Sequence, residues 1–317
     1  MYAVLVCAWL SGLAGCSSTP ETDDRYRPAE NILEVVAVLR RHVPDDTYRF
    51  EPARDYTGRN VYRSSLLRLE SIERVHEGAL RAGHMDGVIA FAKGRALERI
   101  RAFGIAASEY RIAAEREPEL DVEALRSADL CDSLARATTL AIDLDTLGDP
   151  GRRFATATDP DAVVEQFDAR LAMLDESVSA ASGSHHEFVV KEEIERTNMA
   201  RSHYFLAVRN VIPNGNLRAV SELQRVVVGH RESKNASRHM LALADLYVDM
   251  AKEYIDANPP ESMRFDPVRF QELIESASRL FQVVANRDGT AEKLEASRRL
   301  EAFLAFALRV DRDRFTP

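Results

Sequence analysis

From residue 29 onward, apolar residues recur three and four positions apart, the spacing of a helix face and not of a strand. Ile32, Val35, Val36, Leu39 and Val43 share one face and predict a first amphipathic helix over 29–43. Two prolines and an Asp-Asp pair break the pattern over 44–58. A second helix over 61–82 carries Leu66, Leu69, Ile72 and Val75 and stops at Gly83. Segments 85–101 and 104–117 predict a helical pair ended by Pro118. Asp121 then reads as the N-cap of a helix reaching 147, with Ala124, Leu125, Ala128 and Leu134 behind it.

Residues 148–162 hold two glycines and two prolines with no apolar stripe, so they read as an internal linker. A helix is expected over 160–178, a break over 179–187, and further helices over 188–211, 217–230, 234–257, 267–286 and 290–309. Between the last of these stand Pro213-Asn214-Gly215, Glu232-Ser233, Asn258-Pro259-Pro260 and Asp288-Gly289. The pattern predicts an all-α chain of about ten to eleven helices, stacked as helical hairpins into an α-α superhelix. It divides into a helical region over 29–147 and another over 163–317. In the helix around 270–284, Phe270, Leu273, Ile274, Ala277, Leu280, Phe281 and Val284 form one stripe, which needs a neighbouring helix to bury it.

The N-terminus has a different pattern. Val4 to Leu10 is an apolar run, too short for the roughly 20 residues of a spanning helix and suited to the apolar region of a secretory signal. It is followed by Leu13-Ala14-Gly15-Cys16. This tetrapeptide resembles the lipobox of bacterial lipoproteins, although Met1-Tyr2-Ala3 lacks the basic residue such signals carry. The resemblance implies that residues 1–15 are a signal peptide and that Cys16 is acylated and anchors the chain to a membrane. Ser17 after the cysteine leans by the same resemblance to an outer-membrane location facing the periplasm. Residues 16–28 are polar and non-periodic and would act as a flexible tether reaching roughly 40 Å when extended.

A second resemblance lies in the body of the chain. Ala106, Tyr110, Ala113 and Pro118 match the second helix of a tetratricopeptide repeat, with Gly94 at the small position of the first helix. A weaker copy has Ala207, then Ala219, Leu223 and Val226; a third has Ala244 and Tyr247, then Ala277 and Phe281. In such arrays small residues sit where helix axes approach to about 8–10 Å, and an aromatic ring fills the adjoining hollow. The chain thus resembles a degenerate tetratricopeptide-like array over about two thirds of its length.

Composition narrows the choices. The net charge of −9 argues against a nucleic-acid partner, which would select a basic face. Basic residues are almost all arginine, with lysine only at 93, 191, 234, 252 and 293. With Cys7 removed in the signal and Cys16 acylated, Cys131 remains alone, without a partner for an intrachain disulfide.

Motifs that carry chemistry are incomplete. Glu73-x-x-His76 is half of a carboxylate-bridged dimetal site and has no second copy. His186-Glu187-Phe188-Val189-Val190 begins like a zinc-protease helix but places Val190 where the second histidine belongs. His185 and His186 stand side by side in a Ser/Gly-rich break, Cys131 lies in a helical pattern, and no phosphate-cradling glycine loop occurs. No catalytic residue, cofactor or metal is therefore expected. Tyr48, Phe50, Tyr56 and Tyr62 sit in or beside the 44–58 loop, either as a contact surface or folded over the first helices as a cap.

The function expected from the family resemblance is that of similar lipid-anchored repeat proteins, the outer-membrane β-barrel assembly lipoprotein among them. That is a non-enzymatic scaffold for protein–protein contacts in the cell envelope, serving assembly or secretion. The alternative is an envelope hydrolase or polysaccharide-export accessory whose site is assembled from scattered residues; a deep pocket with two or more facing carboxylates or histidines would favour it, whereas an open concave face lined by Arg, Glu and Tyr would favour the scaffold.

Overall fold

The computed structural model describes residues 28–42, 48, 51–140 and 160–315. Among these residues the chain is all-helical: α1 (Pro28–His42), α2 (Val61–Ala82), α3 (Asp86–Arg99), α4 (Phe103–Arg116), α5 (Asp121–Thr139), α6 (Pro160–Ala181), α7 (His186–Val208), α8 (Gly215–Gly229), α9 (Ala236–Ala257), α10 (Pro267–Ala285) and α11 (Glu292–Phe315). Their only extended pairing is an isolated bridge between Arg54 and Asn60. Each helix packs on its neighbours in sequence, and the next-but-one pairs α1 with α3 and α9 with α11 also touch. Stacking of this kind is the α-α superhelical arrangement that the spacing predicted.

Local chemistry sets several of the helix boundaries. Asn60 starts α2 by accepting from the Tyr62 amide at 2.9 Å. Asp266 starts α10 by accepting from the Val268 and Arg269 amides, with Pro267 in the first turn where its missing N–H costs nothing. Asp121 corrects its expected role. Leu120 occupies the N-cap position of α5, and Asp121 lies inside the first turn beside Glu123, where its charge complements the helix dipole.

The core is a chain of overlapping clusters. One joins α1 to α5 through Ile32, Leu69, Ile89, Ala106, Tyr110 and Cys131. Another joins α4 to α7 through Phe103, Leu134, Leu174 and Val190. Phe167, Tyr204, Leu223 and Leu246 link α6 to α9, and Phe270, Phe281 and Phe303 close the stack with α11. The helices on either side of residues 141–159 therefore share a core. The 148–162 linker falls mostly outside the described residues, and Pro160–Ala162 belong to α6.

The repeat residues occupy particular places. A Cβ added to Gly94 would stand 2.9 Å from the Tyr110 ring, so α3 and α4 close only around a hydrogen there. Ala106, Ala113, Ala219, Leu223, Ala244 and Ala277 are fully buried, and Phe281 nearly so. Tyr247 is half-buried, and its hydroxyl accepts from Gln224 Nε2 at 3.1 Å. Pro118 is exposed in the turn after α4. Ala207 requires correction: it faces solvent, while Tyr204 and Val208 take the buried places beside it. The packed stripe of α7 runs through 200, 204 and 208, and Ala207 lies at its edge, about 60° from its centre, on the exposed side. Leu13, Ala14, Gly15 and Cys16 lie outside the described residues, and no helix among those described is long and apolar enough to cross a membrane.

Candidate functional site

α7 lies in the middle of the array, and its sequence is unusual for a central helix. Along the stripe at 186, 189, 190, 193, 197, 200, 204 and 208, apolar residues alternate with His186, Glu193 and Thr197, all buried. Buried charge of this kind persists only where partners are built around it. The partners come from helices distant in sequence, and together they line a cleft of about 470 Å³. Its walls are the end of α3, one position of α6, the length of α7 and the start of α9.

At the centre is Glu193. Arg101 grips it with Nε on Oε1 at 2.7 Å and Nη2 on Oε2 at 3.1 Å, a two-pronged contact. Arg170 from α6, itself fully buried, adds Nη2 on Oε2 at 3.1 Å. Arg101 has φ +66, in the left-handed region that a branched-free glycine would occupy more cheaply. Its guanidinium, aimed from the tight α3–α4 turn, accounts for an arginine there.

Towards α9, Glu192 meets Arg99 at 3.4 Å and Lys234 at 2.7 Å. Glu195 accepts from Ser233 Oγ at 2.5 Å and faces His239 Nε2 at 2.5 Å. Burial by itself would raise the Glu195 carboxyl, but His239 and Ser233 outweigh it and hold it below the usual range. His230 contacts the Tyr48 hydroxyl through Nδ1 and Asn198 Nδ2 through Nε2 at 3.1 Å. Burial pushes the Tyr48 hydroxyl well up and His230 down. The Tyr48 main-chain carbonyl accepts from the Lys234 amide at 2.7 Å, and Glu51 pairs with Arg238 at 3.2 Å. Tyr48 and Glu51 thus meet the α8–α9 turn and the start of α9. Of the other aromatics in or beside the 44–58 loop, Tyr56 is fully exposed, Tyr62 is buried in the α1–α5 core, and Phe50 lies outside the described residues.

At the other end stands Glu98, fully buried, with Tyr110, His185 and His186 around its carboxylate. Tyr110 donates to Oε2 at 2.8 Å, and His186 Nδ1 lies 2.9 Å from Oε1. His185 Nε2 is 3.4 Å from Oε2, buried but not aligned for a hydrogen bond. Burial would raise Glu98, yet the neighbouring histidines hold it well below the carboxylate range. His185 is lowered because its burial outweighs the support of Glu98. His186 Nε2 meets Ser127 Oγ at 3.1 Å, and Ser127 in turn donates to the Glu123 carbonyl at 2.7 Å.

The other chemical candidates lie apart. Glu73 is held by Lys93 at 3.1 Å and faces Arg116 at 3.6 Å, while His76 is exposed at a kink in α2 with φ −124 and ψ 22. Cys131 is a buried free thiol whose pKa burial pushes well up, with Glu98 and Asp132 adding to the shift. Glu98, Arg101, Arg170, Glu193, Glu195 and His239 carried no sequence motif. For Glu193 the signal is weak, an ionisable residue on the same face as Val189, Val190 and Ala200; for the others, on different elements or another face of α7, the sequence carried none.

These features define an all-α array of stacked helical hairpins with a charged cleft along its central helix. No family model matches the chain, and no curated protein or solved structure matches it.

Proposed function

We propose that the chain is a lipid-anchored helical-repeat scaffold at the bacterial cell envelope, facing the periplasm, that binds other envelope proteins through its central cleft. Such binding would serve assembly or secretion. The observation that carries this reading is the way the cleft holds its charges. Arg99, Arg101 and Lys234 alternate with Glu192 and Glu193, and each is fixed by contacts of 2.7–3.4 Å to a residue of another helix. Fixed, mutually neutralising charges make a preorganised recognition surface, because little side-chain freedom remains to be lost on binding. A cleft of about 470 Å³ is in the range that accepts a few side chains of a partner segment. Anchoring rests on Leu13-Ala14-Gly15-Cys16, and Cys16 is the residue to be acylated.

Two measurements test the reading. Cys16→Ser should move the protein from the membrane to the soluble fraction, and retention of the variant on membranes would sink the anchor. The acylated chain should recover a defined set of envelope proteins after crosslinking in cells. Arg99→Glu combined with Lys234→Glu should lose that set, and recovery of the same proteins by both chains would sink the cleft as the binding surface.

A further inference from the structure

We propose that Glu98, His185 and His186 form a binding site for a divalent transition-metal ion of the zinc type. One ligand atom from each of the three lies within 4.8 Å of the others. They come from the end of α3 and from the entry to α7, where the rings of His185 and His186, with centroids 3.7 Å apart and planes tilted by 39°, present Nε2 and Nδ1 to the same carboxylate.

The hydrogen bonds around the cluster leave a place for a cation between its acceptors. Ser127 has committed its hydrogen to the Glu123 carbonyl, so His186 Nε2 serves as the donor to Ser127 Oγ. Nδ1, 2.9 Å from the Glu98 carboxylate, then faces an acceptor, and a proton or a metal ion between the two relieves the repulsion that a bare lone pair would meet there. A proton on Nδ1 would serve this contact alone and leave the buried His185 Nε2 without a hydrogen bond. A metal ion would serve all three atoms.

Donors 2.0–2.1 Å from a tetrahedral ion stand about 3.3 Å apart. His185 Nε2 stands 3.4 Å from Glu98 Oε2 and His186 Nδ1 2.9 Å from Oε1, so the two oxygens of one carboxylate face the two rings at close to this spacing, and an ion between them would need the His186 contact to open by roughly 0.4 Å. The surrounding groups behave as outer supports. The Ser127–Glu123 relay fixes the His186 ring through its other nitrogen, and Tyr110 orients the carboxylate. Two imidazoles and one carboxylate suit zinc and its neighbours and not magnesium or calcium. Three protein donors leave one position for water or for a group brought by a ligand.

The experiment uses the purified full chain, stripped with chelator and titrated with Zn²⁺ by calorimetry, and with Co²⁺ by visible absorption as a report on tetrahedral coordination. The expected result is one equivalent bound with Kd below about 1 μM. Glu98→Gln removes a fully buried charge and would disturb the fold, so the deciding variant is His185→Gln, whose side chain is partly exposed. It should weaken Zn²⁺ at least 10-fold and dim the Co²⁺ bands, while His239→Gln in the other cluster leaves both unchanged. Absence of stoichiometric binding, unaltered affinity in His185→Gln, or loss of binding in His239→Gln would overturn the proposal.

Discussion

α7 and α10 are buried to similar depth by opposite means. In α10 the packed stripe is Phe270, Ile274, Ala277, Phe281 and Val284, and burial alone stabilises it against α9 and α11. In α7 the corresponding stripe includes His186, Glu193 and Thr197, which gain nothing from leaving water: His186 depends on Glu98, Glu193 on Arg101 and Arg170, and Thr197 donates to the Glu193 carbonyl at 2.7 Å. The difference shows that periodic burial need not be periodic hydrophobicity. An apolar stripe fits many neighbours, whereas Glu193 is satisfied only where α3, α6 and α7 meet in one register. On this basis α10 supplies stability and α7 supplies specificity to the stack.

The largest effects are expected from removing the centre of each stripe. Phe281→Ala should cost about 3–5 kcal/mol by leaving a cavity between α9 and α11, read from urea denaturation. Glu193→Leu should cost about 3 kcal/mol for a different reason, because Arg101 and Arg170 would keep buried charge without its counterpart. Adding Arg170→Met to Glu193→Leu should then recover part of the loss, whereas no second substitution around Phe281 could act through charge. If Glu193→Leu proved neutral, the division of roles between the two helices would fail.

The same contrast explains what the sequence revealed. The α10 stripe at Phe270, Ile274, Ala277, Phe281 and Val284 was legible because hydrophobicity and burial coincide there. Gly94 and Tyr110 were legible as a small–large pair because close helix approach demands one. The cleft was not legible. Glu98 and His186 are 88 positions apart and Arg101 and Glu193 are 92 apart, and local spacing carries no signal for pairs joined only by stacking. Ala207 was misplaced for a related reason: with Glu193 and Thr197 on the buried stripe, the apolar pattern of α7 gives a shifted phase.

A smaller effect should follow from pH. Burial lowers the pKa of His203 and of His230 from the ordinary 6.5, so near that pH the unfolded chain binds more protons than the folded one. Stability therefore falls as pH drops below about 6.5. Glu98 and Glu195, whose folded values are depressed, contribute a second loss only further down, as pH falls below the ordinary carboxylate range and through those depressed values. The Tm should decline between pH 7.5 and 5.5, and His203→Gln should flatten that decline. An unchanged slope in the variant would remove His203 from the account. α10, which buries no ionisable side chain on its stripe, should show no matching pH dependence in local hydrogen exchange.

The smallest contrast lies at the first turns. Asp266 receives the Val268 amide at 2.9 Å and the Arg269 amide at 3.4 Å, so Asp266→Ala should cost about 1 kcal/mol. At the entry to α7 the nearest equivalent is Ser184 Oγ, 3.3 Å from the His186 amide, and the N-cap residue His185 makes no capping bond. Ser184→Ala removes that long contact together with the Ser184 Oγ donation to the Ala181 carbonyl at 2.5 Å, a bond that closes the end of α6, and should cost about 0.5 kcal/mol, still below the loss at Asp266. α7 is held at that end by the contact of His186 with Glu98 and not by its cap. A Ser184→Ala cost as large as that of Asp266→Ala, measured in the same urea titration, would mean that α7 begins by local capping like α10 and that its buried partners come second.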